Sequence, residues 1–296
     1  MKSVRKSRIS LESYRPWVLP VTIVVMALAF GILFFLIYLS FVEFDPVTKA
    51  FPFQAAGNWL TLIGDGRALN ALTVTAKYTI GCLVIEFFLG LGIALAVNSV
   101  TKGQSLFRSI YILPMMMAPV VTALIFQLMY HSQWGVVSYY LYQSGLLTRQ
   151  EPLLGGTGVY ALPAIMSVDI WQWTPFVVII LFAGLHALPQ APFRAARVDG
   201  ASAWQTFRFI TVPLLKPIIA LVMLLRFIDL FRTFDYVYVM TAGGPTGGVT
   251  ELISFYAFKV AFGFVKWGYG GTILLLILVA ILIICNVIVS YAKIKF

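Results

Sequence analysis

Long apolar runs dominate the pattern along the chain. Six of them, at about 17–42, 71–97, 106–130, 159–187, 213–241 and 268–292, are each long enough to cross a bilayer, whose hydrocarbon core takes about 20 residues of helix. The runs are continuous rather than alternating with period two, so they predict helices and not barrel strands. The expected fold is all-α integral membrane with six transmembrane helices. Residues 1–16 read as an N-terminal tail, 17–42 as the first span, 43–70 as an outer loop, 71–292 as a five-helix core and 293–296 as a short C-terminus. Pro114 and Pro119 in the third run, and Pro163 and Pro175 in the fourth, are expected to kink or interrupt their helices, which membrane bundles tolerate where neighbours satisfy the freed carbonyls. No internal repeat is strong enough to use.

Composition strengthens this reading. Apolar residues make up 60% of the 296-residue chain and charged residues only 11%, with a mean hydropathy of +0.93. A soluble domain carries about 25% charged residues, so this chain has too few to cover a water-facing surface. Cys82 and Cys285 each sit inside an apolar run and read as small hydrophobes rather than a disulfide framework. The basic N-terminus precedes an apolar run about twice the length of a signal-peptide core, with no small-residue cleavage pattern, so it reads as a retained span.

The net charge of +10 raises the question of nucleic acid, but no basic stretch is interleaved with exposed aromatics, and no nucleic-acid partner is expected. The cations sort by topology instead. With the N-terminus inside, Lys2, Arg5, Lys6, Arg8, Arg15, Lys102, Arg108, Arg194, Arg197, Arg208, Lys216, Lys293 and Lys295 face the cytoplasm, against Lys49, Arg67, Arg149, Lys259 and Lys266 outside. That bias is the positive-inside pattern and puts both termini in the cytoplasm. Trp59, Trp134 and Trp267, together with the glycine-rich stretch 243–248, fall in outer loops, where Trp marks the headgroup belt.

The most informative segment lies between the fourth and fifth runs, at 185–217, on the predicted cytoplasmic side. Ala195, Ala196, Arg197 and Val198 read as helix, and Asp199-Gly200 as its end, because Gly readily takes the left-handed conformation. A second short helix follows from Ala201, with Ala203, Phe207 and Ile210 on one face and Trp204 beside it. Pro213 and Pro217 mark entry to the fifth span. The pattern predicts two short helices with a bend, held just outside the bilayer.

Ala195, Ala196, Asp199, Gly200, Ala201, Phe207, Ile210, Pro213 and Pro217 together resemble the EAA loop of ABC importer permeases at matching spacing. The stretch 236–245, YVYVMTAGGP, is similar to the segment after the fifth span in the carbohydrate-uptake, maltose-type branch. The resemblance covers about residues 70–292. It implies that 188–212 is the coupling loop, and that Arg194, Ala195, Ala196, Asp199, Gly200, Ala201, Ser202, Ala203 and Trp204 contact a separate ATPase. Two positions depart from the pattern: Arg194 stands where the family has Glu, reversing the sign offered to the partner, and Val212 replaces the Leu before Pro213.

Ionisable residues inside spans are costly and tend to line interiors or pathways. In the fifth run Arg226, Asp229, Arg232 and Asp235 alternate in sign every third residue, a spacing that allows each Arg to pair with an Asp. Two readings stand: a self-neutralising ladder against a partner helix, or a stripe that with Phe234 and Tyr236 lines a solute path. Asp169, flanked by Trp171 and Trp173, offers the carboxylate and flat aromatic faces that suit polyhydroxylated ligands. Aromatics in a span also serve plain packing. Lys77 and Glu86 in the second run are too far apart to pair along one helix, and the sequence gives them no role.

There is no Gly-Lys-Ser/Thr phosphate loop, and His131 and His186 stand alone without metal-ligand spacing or a triad. No catalysis, metal site or cofactor is expected on this chain; ATP and Mg would be bound by the partner ATPase. The resemblance implies an importer working by alternating access in the bacterial cytoplasmic membrane. Its partners would be a second related permease, two ATPase subunits and an extracytoplasmic solute-binding protein that delivers a sugar or sugar derivative. The rivals are a stand-alone secondary transporter or channel, and an ABC importer of another solute such as a phosphorylated polyol.

Overall fold

The computed structural model describes residues 15–100, 109, 111–148, 151–244 and 248–292. Most of the N-terminal basic tail, Lys102, Arg108, Arg149, positions 245–247 of the glycine-rich loop, and Lys293 and Lys295 lie outside the described residues. Among the described residues there is no β-strand; two isolated bridges, Val42 to Phe53 and Asp45 to Ala50, fold the loop after the first helix back on itself.

Among the described residues four helices are long and apolar enough to cross a membrane: α1 (Arg15–Ser40), α3 (Gly66–Ser99), α6 (Ala161–Ala187) and α12 (Trp267–Ala292). The short helix α2 (Gly57–Gly64) precedes α3. At about 1.5 Å per residue, the 34 residues of α3 run well past the hydrocarbon core. Its first turn therefore lies in the segment expected to be loop. Asp65 caps α3, accepting from the backbone N–H groups of Arg67 (2.9 Å) and Ala68 (3.2 Å).

The third run is not one helix. A 3₁₀ turn at Leu113–Met116 gives way to extended backbone at Met117 and Ala118, and α4 (Pro119–Met129) starts with its proline in the first turn. Pro119 has no N–H to give, so it suits a helix start and cannot continue one. In α6 both prolines are carried without a break: Pro163 lies in the first turn, where N–H groups have no helical partner anyway, and Pro175 sits inside the continuous helix. The short helix α5 (Val136–Gln143) lies between α4 and α6.

After α6 come α7 (Gln190–Val198) and α8 (Ala203–Thr206), then a π-helical turn at Phe207–Thr211 that runs directly into α9 (Val212–Phe231). Pro213 cannot donate to the preceding turn. The widened turn, in which the Val212 N–H bonds the Phe207 carbonyl, absorbs the disruption. The fifth run then breaks at Arg232–Phe234 and resumes as α10 (Asp235–Met240). No proline causes this break. The Thr233 carbonyl, freed from the helix, accepts the Ser254 hydroxyl from the first turn of α11 (Ile253–Phe258), which ends in a second π turn at Lys259–Gly263.

The helices α3, α6 and α9 pack together at the centre, and α12 packs against α1, α9 and α11. Close approach depends on small residues. A Cβ on Gly90 of α3 would sit 2.6 Å from Val177 Cγ1 of α6, the small-residue contact by which helices associate in lipid. At the start of α12, a Cβ on Gly268 would lie 1.7 Å from the Val42 carbonyl oxygen. The Glu43 carboxylate reaches over that helix end and accepts from the Gly268 and Tyr269 N–H groups, each at 3.0 Å. Of the outer-loop tryptophans, Trp267 stacks on Phe44 (4.2 Å) and Trp134 on His131 (3.9 Å).

Candidate functional site

The break in the fifth run opens a cavity of about 170 Å³ at the junction of α6, α9 and α10. Its wall includes Asp169, Trp173, Asp229, Phe234, Asp235 and Tyr236. The structure thus brings together six of the seven residues singled out for a solute path. Trp171 is not among them. It points away on the other face of α6, where its ring meets Phe126 at 5.2 Å and is 45% exposed.

Behind the cavity lies a buried ion cluster that joins three spans. Arg226 on α9 makes a bidentate pair with Glu86 on α3, with both N–O distances at 2.7 Å, and its Nη2 also reaches Asp169 Oδ1 on α6 at 2.6 Å. The Tyr78 hydroxyl of α3 donates to Asp169 Oδ2 at 2.5 Å. The guanidinium also lies over the Trp173 ring at 5.2 Å. All three charged side chains are essentially sealed, Arg226 and Asp169 at 2% exposure and Glu86 at 0%. In lipid such charges must be paired, and the fork of an arginine matches a carboxylate in two places.

This corrects the ladder expected along the fifth run. Arg232 does pair with Asp229 three residues earlier, at 3.0 Å and largely exposed. Arg226 turns instead to other helices, and Asp235 makes no ion pair among the described residues. Glu86, to which the sequence gave no role, is half of the strongest buried contact. Its signal was a carboxylate deep in an apolar run with no opposite charge within pairing reach on its own helix.

A second polar chain holds the two breaks in register. Gln172 on α6 donates to the Met117 carbonyl at 2.7 Å, just where the third run loses its helix, and accepts from the Tyr236 hydroxyl at 2.7 Å. The Trp173 indole N–H donates to Tyr236 in turn, at 3.1 Å. Gln127 of α4 donates to the Val239 carbonyl of α10 at 2.8 Å.

At the end of α3 and α12 on the far side from the α7–α8 loop, Asp65 gathers the hydroxyls of Tyr256 (2.6 Å) and Tyr269 (2.5 Å) as well as its capping N–H groups. Burial opposes its charge, but these donors outweigh burial and hold the carboxyl below its ordinary range. Beside it Arg67 forks onto Glu251 at 2.7 and 3.0 Å. The glycine-rich loop wraps this pair, with Gly243 (φ +97°) and Gly248 (φ +91°) in conformations that suit glycine.

The loop at 188–212 forms two short helices around a glycine turn. α7 ends in a Schellman turn: Gly200, at φ +72°, donates to the Arg197 carbonyl, and the Ala201 N–H reaches back to Ala196. Ser202 and Gln205 then form a reciprocal capping box at the start of α8. Ala196 packs inward, while Arg194, Ala195, Asp199, Gly200, Ser202, Ala203 and Trp204 are exposed and Ala201 is half-buried. Val198 at 88% and Trp204 at 65% form an apolar tip on this element.

The sequence pattern of the family described as "Binding-protein-dependent transport system inner membrane component" matches residues 88–293, which hold the last third of α3 and every helix after it. The chain belongs to that family. This permease is 36% identical over 231 residues to the trehalose/maltose transport system permease protein MalF of Thermococcus litoralis, covering 78% of this chain and 77% of that one. It is 28% identical to the multiple sugar-binding transport system permease protein MsmF of Streptococcus mutans, over 96% and 97% of the two chains. The fold of the permease also matches a chain in the crystal structure of a bacterial ABC transporter involved in import of the acidic polysaccharide alginate. The TM-score is 0.76 at 22% identity, with 95% and 97% of the chains covered. The same transporter, solved in complex with an alginate pentasaccharide-bound periplasmic protein, gives 0.74 at 22% identity over 95% and 94%. The permease is accordingly an all-α, multi-pass membrane protein and a non-catalytic transport component.

Proposed function

We propose that this permease imports a sugar or sugar derivative handed over by an extracytoplasmic binding protein, driven by ATP hydrolysed on separate subunits. The observation that carries the reading is the family match across residues 88–293 together with sugar-transport relatives such as the trehalose/maltose permease. Six spans, with both termini cytoplasmic, agree with the charge bias of the loops. The broken third and fifth runs then count as spans whose non-helical backbone faces protein or a cavity, the one setting in which membranes tolerate it.

In this mechanism 188–212 is the coupling loop. Its Schellman turn and capping box make the α7–α8 bend stiff, and α8 runs unbroken through the π turn into α9. A push on the exposed tip at Val198 and Trp204 therefore travels along one rod to Arg226 and the cavity at its far end. Closure of the ATPases on ATP rotates that rod against α3 and α6 and opens the cavity outward; hydrolysis resets it. Trp173, Asp229 and Asp235 present ring and carboxylate faces that suit a polyhydroxylated solute, on a wall that the bonded Asp169 and Tyr236 hold in place. A second permease completes the pathway, and Mg-ATP stays on the ATPases.

Co-expression with the adjacent transporter genes, purification in detergent and uptake in proteoliposomes test this. The expected result is co-purification with a second permease and an ATPase, and trehalose or maltose uptake that needs ATP and a binding protein. A lone chain that moves solute into ATP-free vesicles would support a secondary transporter instead.

A further inference from the structure

The cavity at the break in the fifth run has a charge inventory that selects among solutes. Four carboxylates, Glu86, Asp169, Asp229 and Asp235, stand at or directly behind its wall, against two guanidiniums, Arg226 and Arg232. Arg226 has Nε and Nη2 on Glu86, Nη2 also on Asp169, and its face on Trp173, with 2% exposure. Arg232 holds Asp229 through one nitrogen at 3.0 Å and is largely exposed. A negatively charged solute entering here would meet a wall where carboxylates outnumber guanidiniums, and reaching Arg226 means stripping partners from a sealed ion.

What the wall does offer is a carboxylate. Asp235 is half-buried, lies on the cavity, and makes no ion pair among the described residues. It sits at the start of α10, beside Tyr236, whose hydroxyl is already held between Trp173 and Gln172. The geometry points to Asp235 as a specificity-determining residue that accepts hydrogen bonds from the hydroxyls of an uncharged, polyhydroxylated solute and turns away anionic ones. The inference rests on the reading of this cavity as part of the solute path. Carboxylates accept only, so a sugar hydroxyl pair satisfies Asp235, whereas a uronate or phosphate brings a further anion to a wall where carboxylates already outnumber guanidiniums.

The test uses the assembled transporter in proteoliposomes with its binding protein, and reads uptake of radiolabelled maltose and trehalose. In parallel, quenching of Trp fluorescence in the binding-protein-free complex is titrated with maltose and with a uronic-acid disaccharide. Asp235→Asn keeps the shape and leaves both ion pairs in place. The wild type is expected to take up the neutral sugars and to bind the uronate at least about tenfold more weakly than maltose. Asp235→Asn should raise the half-saturating maltose concentration by about tenfold to a hundredfold, the span of a charge-assisted hydrogen bond. It should also narrow the gap to the uronate while ATP hydrolysis by the complex persists. Equal or tighter uronate binding by the wild type overturns the inference, as does an Asp235→Asn complex with unchanged sugar preference. Absence of ATP-dependent uptake of any sugar by the wild-type complex counts against the proposed function itself, and the inference falls with it.

Discussion

Glu86→Ala probes the joint between the three central spans. The substitution leaves Arg226 buried at 2% exposure with Asp169 as its one remaining anionic partner. Two unit charges about 3 Å apart at an effective dielectric of about 20 attract by roughly 5 kcal/mol. Burying each ion costs several kcal/mol in return, so the intact pair contributes little more than a well-packed apolar pair would. Removing Glu86 is different: Arg226 keeps its desolvation cost and loses its bidentate partner while Asp169 still holds it, at about 3 kcal/mol, the lower end for a broken buried pair. At about 2–4 °C per kcal/mol, the melting temperature of the complex should fall by roughly 10 °C. Cys82 offers the readout: it is fully buried on α3, one turn before Glu86. A thiol-reactive fluorophore therefore reports unfolding once Cys285 and the thiols of partner chains are replaced. Arg226→Met strips the cation from both Glu86 and Asp169, leaving two sealed carboxylates unpaired, and should melt below Glu86→Ala. A Glu86→Ala complex that melts within about 2 °C of the wild type would refute this, and so would an Arg226→Met complex more stable than Glu86→Ala.

Two further outcomes follow from the outer ends of the spans. Gly268→Ala places a methyl 1.7 Å from the Val42 carbonyl oxygen; backbone cannot yield as a side chain can, so the loss should exceed about 3 kcal/mol, read as poor accumulation of the complex and a lower melting temperature. Asp65 titrates below its unfolded value, because tyrosine hydroxyls and backbone N–H groups outweigh its burial. Its contribution is therefore complete above the unfolded pKa of about 4 and drains away as pH falls through the folded value. Melting curves between about pH 5 and pH 3 should show Asp65→Asn with a shallower acid decline than the wild type, and parallel declines would contradict the assignment.

The spans were legible because lipid demands about 20 continuous apolar residues of any helix that crosses it, and this pattern needs no knowledge of neighbours. The break at Pro119 was legible for a similar reason: proline carries its effect locally. The break at Arg232–Phe234 was not. It is held by Ser254, 21 residues further on, and nothing at the break itself announces it. The same holds for Arg226. Spacing of three along the run offered it Asp229, yet fold-level proximity gave it Glu86 and Asp169, 140 and 57 residues away. Asp169, Trp173, Asp229, Phe234, Asp235 and Tyr236 line one cavity, whereas Trp171 shares the composition and lies on the opposite face of its helix. At 188–212 the residues of the glycine turn carry their conformation in their type, so the bend could be read from Asp199, Gly200 and Ser202 alone.

The central claim is that the α7–α8 bend is a cytoplasmic handle moved by a motor on another chain. Ser202→Cys, in a complex with its other thiols removed, tests it most directly, since Ser202 is exposed at the bend. The account predicts labelling by a membrane-impermeant maleimide in inside-out vesicles but not in intact cells, with strong protection once the ATPase subunits are bound. Labelling from the outer face, or equal labelling with and without the ATPases, would contradict it.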